Sequence, residues 1–139
     1  MSVVYNKEHP IPAPTIHPDN EGFWEGVKRQ ELVLQRCQGC GTWSHPPRPM
    51  CPKCRSSERE WAPASGRGTV HSWVTYRDSP HPGFQAPYSV VLVELEEGVR
   101  MVSNLVDVKP EAVTIGMPVE VVFDRVTDEV LLPKFRKAG

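Results

Sequence analysis

Four cysteines within one short stretch constrain this chain more than any other feature. They form two CxxC pairs separated by ten residues: Cys37, Cys40, Cys51 and Cys54. Two residues between cysteines let both sulfurs of a tight turn face one ion, and two such turns supply a tetrahedral site. Gly41 after the first pair suits the positive φ angle of such a turn, whereas Arg55 holds the matching position after the second. The spacing predicts a zinc ribbon.

Other uses of the four cysteines are two disulfides, a thioredoxin-like redox pair and an iron centre. The spacing is that of a metal site, and no βαβ pattern surrounds either pair. Iron would make the chain an electron carrier, but nothing in the sequence indicates a redox partner, so zinc is the better assignment. Because four thiolates fill a tetrahedral site, we expect the metal to be structural and to hold together a segment too short to build its own core.

Composition narrows the class of protein further. The chain has 139 residues, a net charge of -1 and 39% hydrophobic residues, so neither disorder nor a strongly basic nucleic-acid surface is indicated. The longest apolar run, residues 90–93, is far too short to span a bilayer, and the first residues lack the apolar core of a signal peptide. We therefore expect a folded protein of the cytoplasm that does not enter a membrane.

The hydrophobic pattern predicts a mainly β chain. A short helix is expected near residues 19–29, capped by Asp19, and a strand at residues 32–36 leads into the first cysteine pair. Five further strands are predicted at residues 69–76, 88–95, 99–106, 119–123 and 130–132, with a helical turn at 109–113. This order matches an OB-fold barrel. The predicted domains are an N-terminal arm and helix (1–31), a zinc ribbon (32–64) and an OB-fold domain (65–139).

Charge is distributed unevenly between these parts. From Lys28 to Arg67 the chain has eight basic and three acidic residues, whereas residues 68–139 have seven basic and ten acidic ones. Four zinc-bound thiolates reduce the first excess but do not cancel it. The ribbon is therefore the positive end, which either attracts a phosphate-bearing ligand or merely offsets the thiolates.

No catalytic machinery is evident in the sequence. None of the five histidines is spaced to pair with a carboxylate or cysteine on one element, and no nucleophile elbow, zinc-protease, P-loop or dinucleotide motif is present. The sequence predicts no catalytic residue in this chain on its own.

The order of several short motifs resembles the family called domain of unknown function thirty-five. They include Phe23-Trp24, the two cysteine pairs, His45-Pro46-Pro47-Arg48, Ser65-Gly66-Arg67-Gly68, Pro87-Tyr88, Ile115-Gly116-Met117-Pro118 and Leu132-Pro133-Lys134-Phe135. The resemblance covers nearly the whole chain. It implies an N-terminal helix, a rubredoxin-like zinc ribbon and an OB fold, in a protein that acts beside a thiolase or a lipid-transfer-type aldolase in acyl-CoA metabolism.

That resemblance implies an accessory subunit, stabilising a thiolase-like partner and completing an acyl-CoA passage, in one case for cleavage of a steroid side chain. Scaffolding between a thiolase and a hydroxymethylglutaryl-CoA synthase is the second role in the family, and single-stranded nucleic-acid binding is a competing function that the acidic barrel disfavours. The candidate CoA-phosphate contacts are Arg48, Lys53, Arg55 and Arg67. The candidate partner or substrate contacts are Phe23, Trp24, Trp73, Phe84 and Tyr88.

Overall fold

A computed structural model describes residues 11–139 of the chain, so the first ten residues of the expected N-terminal arm lie outside the described part. The described residues form one short helix, a three-stranded sheet and a closed five-stranded barrel. The elements are α1 (Glu21–Lys28), β1 (Val33–Cys37), β2 (Trp43–Ser44), β3 (Arg59–Pro63), β4 (Arg67–Tyr76), β5 (Tyr88–Leu95), β6 (Arg100–Leu105), a 3-10 turn (Pro110–Ala112), β7 (Pro118–Arg125) and β8 (Leu131–Lys137). The fold class predicted from the sequence is confirmed.

Helix α1 packs unusually close to the ribbon because two of its positions are glycines. A Cβ atom at Gly22 would overlap the ring of Trp61 on β3. Phe23 and Val27 point into the core, as the helical spacing predicts. Asn20, rather than the expected Asp19, occupies the N-cap position, and Asp19 instead pairs with Arg59 at 3.2 Å. That ion pair fixes the start of the helix to β3.

The small sheet of the ribbon has the strand order β2-β1-β3, with all pairs antiparallel. Sequence patterning predicted only β1, because β2 has two residues and β3 alternates weakly. Leu34 on β1 is completely buried and joins the core that α1 and the barrel share. Helix α1 links the ribbon to the barrel, because it contacts both β1 and β8.

The barrel closes in the order β4-β5-β6-β8-β7, with β7 returning to pair with β4. Its interior is filled by alternate residues of each strand, including Val91, Val93 and Phe135, none of which is exposed. A bulge in β4 between Val70 and Ser72 bends that strand. Strand β6 meets β8 at a single parallel position, Leu105 opposite Phe135.

The last strand is longer than its sequence suggests. Residues 130–132 were expected to form a strand followed by a tail, because Pro133 cannot donate a ladder hydrogen bond. Instead β8 continues to Lys137, and Pro133 simply lies opposite Phe123 in the ladder. Burial of Phe135 and an ion pair between Arg136 and Glu120 at 2.9 Å hold this part in the barrel.

Candidate metal centre and adjoining surfaces

The two cysteine pairs form two equivalent turns at one end of the ribbon. In the first, Gly41 N–H donates to Cys37 O at 2.9 Å, and in the second, Arg55 N–H donates to Cys51 O at 3.0 Å. Gly41 has φ of 78° and Arg55 has φ of 65°. Arg55 therefore adopts the left-handed conformation despite its side chain, and the turns keep the symmetry that the sequence placed in doubt.

The four sulfurs converge on one point. Their Sγ atoms all lie within 4.8 Å of one another, with Cys37 to Cys54 at 3.5 Å and Cys40 to Cys51 at 3.7 Å. Tetrahedral zinc with Zn–S bonds of ~2.3 Å requires sulfurs ~3.8 Å apart, whereas a disulfide bond is ~2.05 Å long. The donor set therefore fits one zinc ion, in the geometry that the spacing predicted.

Local hydrogen bonds prepare two of these sulfurs for the thiolate form. The Thr42 hydroxyl lies 3.0 Å from Cys40 Sγ and lowers the pKa of Cys40 to about 6. The backbone N–H groups of Cys54 and Lys53 point at Cys51 Sγ from 3.5 and 3.4 Å and lower the pKa of Cys51. For Cys54 the neighbouring thiols outweigh the Ser56 backbone N–H and raise the pKa to about 12. A bound cation stabilises all four thiolates together, and so offsets the effect that the neighbouring thiols have on the pKa of Cys54.

The proline-rich loop between the two turns is held by a single buried side chain. Gln35 on β1 is only 4% exposed, and its amide donates to Arg48 O at 2.7 Å and accepts from Arg48 N–H at 2.9 Å. Arg59 also donates to Arg48 O, at 2.8 Å. The side chain of Gln35 thus pairs with both backbone groups of Arg48, as a neighbouring strand would, and fixes the backbone there.

The four candidate phosphate contacts fall into two places. Arg48, Lys53 and Arg55 are exposed on the ribbon, with Lys53 and Arg55 on the second metal turn. Arg67 is exposed at the start of β4, where it lines a separate cavity of about 420 Å³. Glu94 and Glu96 line that same cavity, and their charge disfavours an anion there.

A second cavity of about 370 Å³ lies where helix, ribbon and barrel meet. Phe23 and Trp24 of α1 form one wall, His45 another, and Val102 and Lys134 of the barrel complete it. The ring of Phe23 is buried and meets the ring of Trp24 edge to face, with their centroids 5.0 Å apart. Phe23 therefore packs inside the fold, whereas Trp24 is half exposed. Burial lowers the pKa of His45.

The candidate aromatic contacts of the barrel separate into inner and outer groups. Trp73 lies opposite the buried Val91 and packs on the core. Phe84, in the loop between β4 and β5, folds back onto Tyr88 with ring centroids 5.4 Å apart, and Tyr88 stacks on Tyr76 at 5.0 Å. These three stacked rings, Phe84, Tyr88 and Tyr76, lie at one end of the outer surface of the barrel.

Lys134 carries a charge that sequence analysis did not single out. Its side chain is 1% exposed, and its Nζ lies 3.0 Å from Asp124 Oδ2, which is also buried. Burial lowers the pKa of Lys134 to about 8 and raises that of Asp124. In β8, Phe135 faces the core and Lys134 faces the opposite side, where α1 packs against the strand, so the alternation of the sequence alone does not reveal this burial.

Two family descriptions match consecutive parts of the chain. Residues 24–60 match the "ChsH2, rubredoxin-like zinc ribbon domain" and residues 61–124 match the "ChsH2, C-terminal OB-fold domain". A "DUF35 domain-containing scaffold protein" of Methanocaldococcus jannaschii is 43% identical over 76% of this chain and 77% of its own length. The chain belongs to the DUF35 family. This similarity confirms the resemblance drawn from the sequence motifs. In the DUF35 chain the zinc ribbon precedes the OB fold, in the order that the motifs predicted.

Two further proteins are similar to this chain over most of its length. A "Probable enoyl-CoA hydratase alpha subunit" of Thermomonospora curvata is 45% identical over 91% of this chain, but the DUF35 chain spans only 40% of that relative's length. A solved structure called "Ltp2-ChsH2(DUF35) aldolase" matches with a TM-score of 0.85 and 44% identity, covering 89% of this chain and 98% of the matched one. Within residues 11–139, no helix of the DUF35 chain is long and apolar enough to cross a bilayer.

Proposed function

We propose that this chain is the accessory subunit of a heteromeric acyl-CoA complex, joined to a thiolase-like or lipid-transfer-type aldolase that carries the reacting groups. The observation that carries this proposal is the match over nearly the full length of the DUF35 chain in the Ltp2-ChsH2(DUF35) aldolase. The reaction we assign to the complex is retro-aldol cleavage of an acyl-CoA, with a steroid side chain as the substrate class.

The zinc ion in this proposal has a structural role. Four cysteine ligands occupy a tetrahedral ion completely, so the metal binds no substrate and its binding energy goes into folding. Its effect on function is indirect: it fixes the second turn, which displays Lys53 and Arg55, while Gln35 fixes the backbone at Arg48 between the two turns. The metal centre thus holds in place the backbone that carries a basic surface.

That basic surface is our candidate for the CoA phosphates. Guanidinium groups bind phosphate oxygens in pairs, and the exposed side chains of Arg48, Lys53 and Arg55 stand on a backbone fixed by zinc and by Gln35. Arg67 is the weakest of the four candidates, because Glu94 and Glu96 share its cavity. A bound CoA thioester would bring its phosphates to the ribbon and its acyl end to the partner's reacting groups.

Co-expression with thiolase-like proteins of the same organism tests the proposal. We expect a stable complex that cleaves an acyl-CoA, while neither protein alone does so. Replacement of Lys53 and Arg55 by serine is expected to raise the KM for the CoA thioester at least fivefold, with Lys109→Ser, an exposed lysine of the barrel, as the control. Separate, inactive components would contradict the proposal.

A second candidate function is scaffolding between two enzymes. It is favoured by the similarity to the archaeal scaffold protein, which this chain matches over most of both lengths. The two functions differ in the number of partners: a scaffold binds two different enzymes at once, and an aldolase subunit binds one. Mass measurement of the purified complex separates them.

A further inference from the structure

Strand β5 is apolar on both of its faces, although only one of them lies in the barrel. Val91 and Val93 fill the interior, and their neighbours Val90 and Leu92 point outward. An antiparallel strand with one solvated face normally alternates apolar and polar residues, and a continuous apolar run indicates cover on both sides. The outward-facing residues of β5 are therefore apolar in the way expected of a strand that is covered on both sides.

Strands β4 and β6, which flank β5, add further apolar side chains to this outer surface. Val74 on β4 lies opposite Val90, and Val102 on β6 lies opposite Leu92, so these four side chains share the outer surface. Val74 is 56% exposed and Val102 is 66% exposed. With the stacked pair Tyr76 and Tyr88 they form a patch, which we call the barrel face: Val74, Tyr76, Tyr88, Val90, Leu92 and Val102. Two uncharged polar residues lie at its edges, Ser72 opposite Leu92 and Asn104 opposite Val90.

The barrel face carries no charged side chain among its six residues. The ion pair of Arg100 with Glu94 at 3.9 Å bounds it at one end, and the loop that carries Phe84 bounds it at the other. A nucleic acid needs basic groups on the surface it binds, and this face offers none. The chemistry that fits it is an uncharged, apolar protein surface.

The size of the barrel face decides between a second copy of the chain and a larger partner. Three strands ~4.8 Å apart, each contributing about five residues at ~3.4 Å, cover roughly 250 Å². A stable interface needs about 800 Å² on each side, so two copies meeting through this face alone fall well short. A larger partner can also cover the Phe84 loop and the neighbouring 370 Å³ cavity, whose wall shares Val102.

We infer that the barrel face is the central apolar contact through which this chain docks onto its thiolase-like partner. The inference rests on the proposed function, because it names the surface that the proposed complex uses. It places Tyr88 and Phe84 at the contact and leaves Trp73 inside the barrel, where it packs on the core. The partner supplies an uncharged surface that covers the face, the loop and the mouth of the cavity together.

Single charged substitutions test this inference, with a control of equal exposure. Val102→Asp and Val74→Asp place a carboxylate in the expected contact on two different strands, whereas Ile115→Asp changes a side chain that is 65% exposed but lies outside the face. The affinity of each full-length, zinc-loaded chain for the thiolase-like protein with which the wild type co-purifies is measured by titration. We expect at least a tenfold loss for the two barrel-face variants and less than a twofold change for Ile115→Asp.

The outcomes distinguish failure of the inference alone from failure of the proposed function. If wild type and Val102→Asp bind equally, or if Ile115→Asp weakens binding as much, the barrel face is not the contact, although the proposed complex stands. If the isolated chain is a dimer that Val102→Asp dissociates, a second copy occupies the face and the inference is overturned. If the wild type binds no thiolase-like partner, the proposed function fails and this inference fails with it. Circular dichroism and zinc content confirm that each variant is folded.

Discussion

Replacing Lys134 by methionine tests the buried ion pair of the barrel. The lysine side chain is 1% exposed and that of Asp124 is 7% exposed, with 3.0 Å between Nζ and Oδ2. Methionine preserves most of the packing of the aliphatic stem but removes the ammonium group. The substitution leaves the carboxyl group of Asp124 buried without its cation.

The expected loss follows from that uncompensated carboxyl group. Removing one partner of a buried pair typically costs 3–5 kcal/mol, and the raised pKa of Asp124 favours the lower end because the carboxyl can take up a proton. We therefore expect the free energy of unfolding to fall by about 3 kcal/mol at pH 7. With an unfolding entropy of ~2.1 cal/mol/K per residue, a chain of 139 residues would lose about 10 °C in Tm.

The assay is urea and thermal unfolding of the zinc-loaded chain, with Lys137→Met as the control because Lys137 is an exposed lysine on the same strand. The double variant Lys134→Met/Asp124→Leu should recover to within about 1 kcal/mol of wild type, since it removes both charges. A loss below 1 kcal/mol for Lys134→Met, or a double variant as unstable as the single one, would refute this reasoning.

Four other predictions concern the pH dependence, the ribbon and the helix. Burial lowers the pKa of Lys134 from 10.5 to about 8, so the unfolded chain binds more protons between these values and unfolding free energy should rise over that pH range, but not in Lys134→Met. Gln35→Ala removes two hydrogen bonds to Arg48 and should cost about 2 kcal/mol, with faster hydrogen exchange at residues 45–50. Gly22→Ala should lower the free energy of unfolding by about 1–3 kcal/mol, because the new methyl group overlaps Trp61, even though alanine favours the helix. Urea unfolding measures this loss, and an unchanged midpoint would count against the close packing of Gly22 on Trp61. A strong chelator should release one zinc per chain and lower Tm, and metal analysis that finds no zinc would contradict the ribbon assignment.

The metal centre and the barrel were predictable from sequence because each depends on a local pattern. The spacing of Cys37, Cys40, Cys51 and Cys54 is itself the geometry of two turns, and the apolar patterns of β4 to β7 mark the strands of the barrel along the chain. Strands β2 and β3 were missed because their pairing with β1 is set by the metal turns and by Trp61 packing on Gly22, rather than by their own patterns.

Long-range pairings explain what the sequence did not reveal. Lys134 looked like part of a charged tail, and only the register of β7 and β8 brings it to Asp124. Gln35 looked like an ordinary strand residue, and its contact with Arg48 spans thirteen positions. The outer apolar surface around Val102 had a visible signal in the unbroken run at residues 90–93, but which face stays uncovered depends on where α1 packs.

In the proposed complex this chain supplies support and a binding surface, and the reacting groups lie on another polypeptide. The most direct measurement compares acyl-CoA cleavage by three samples: the purified zinc-loaded chain, a thiolase-like protein of the same organism, and the two combined. We expect turnover only in the combined sample, with both proteins eluting as one complex. Turnover of a thioester by the chain on its own, or no association between the two proteins, would contradict it.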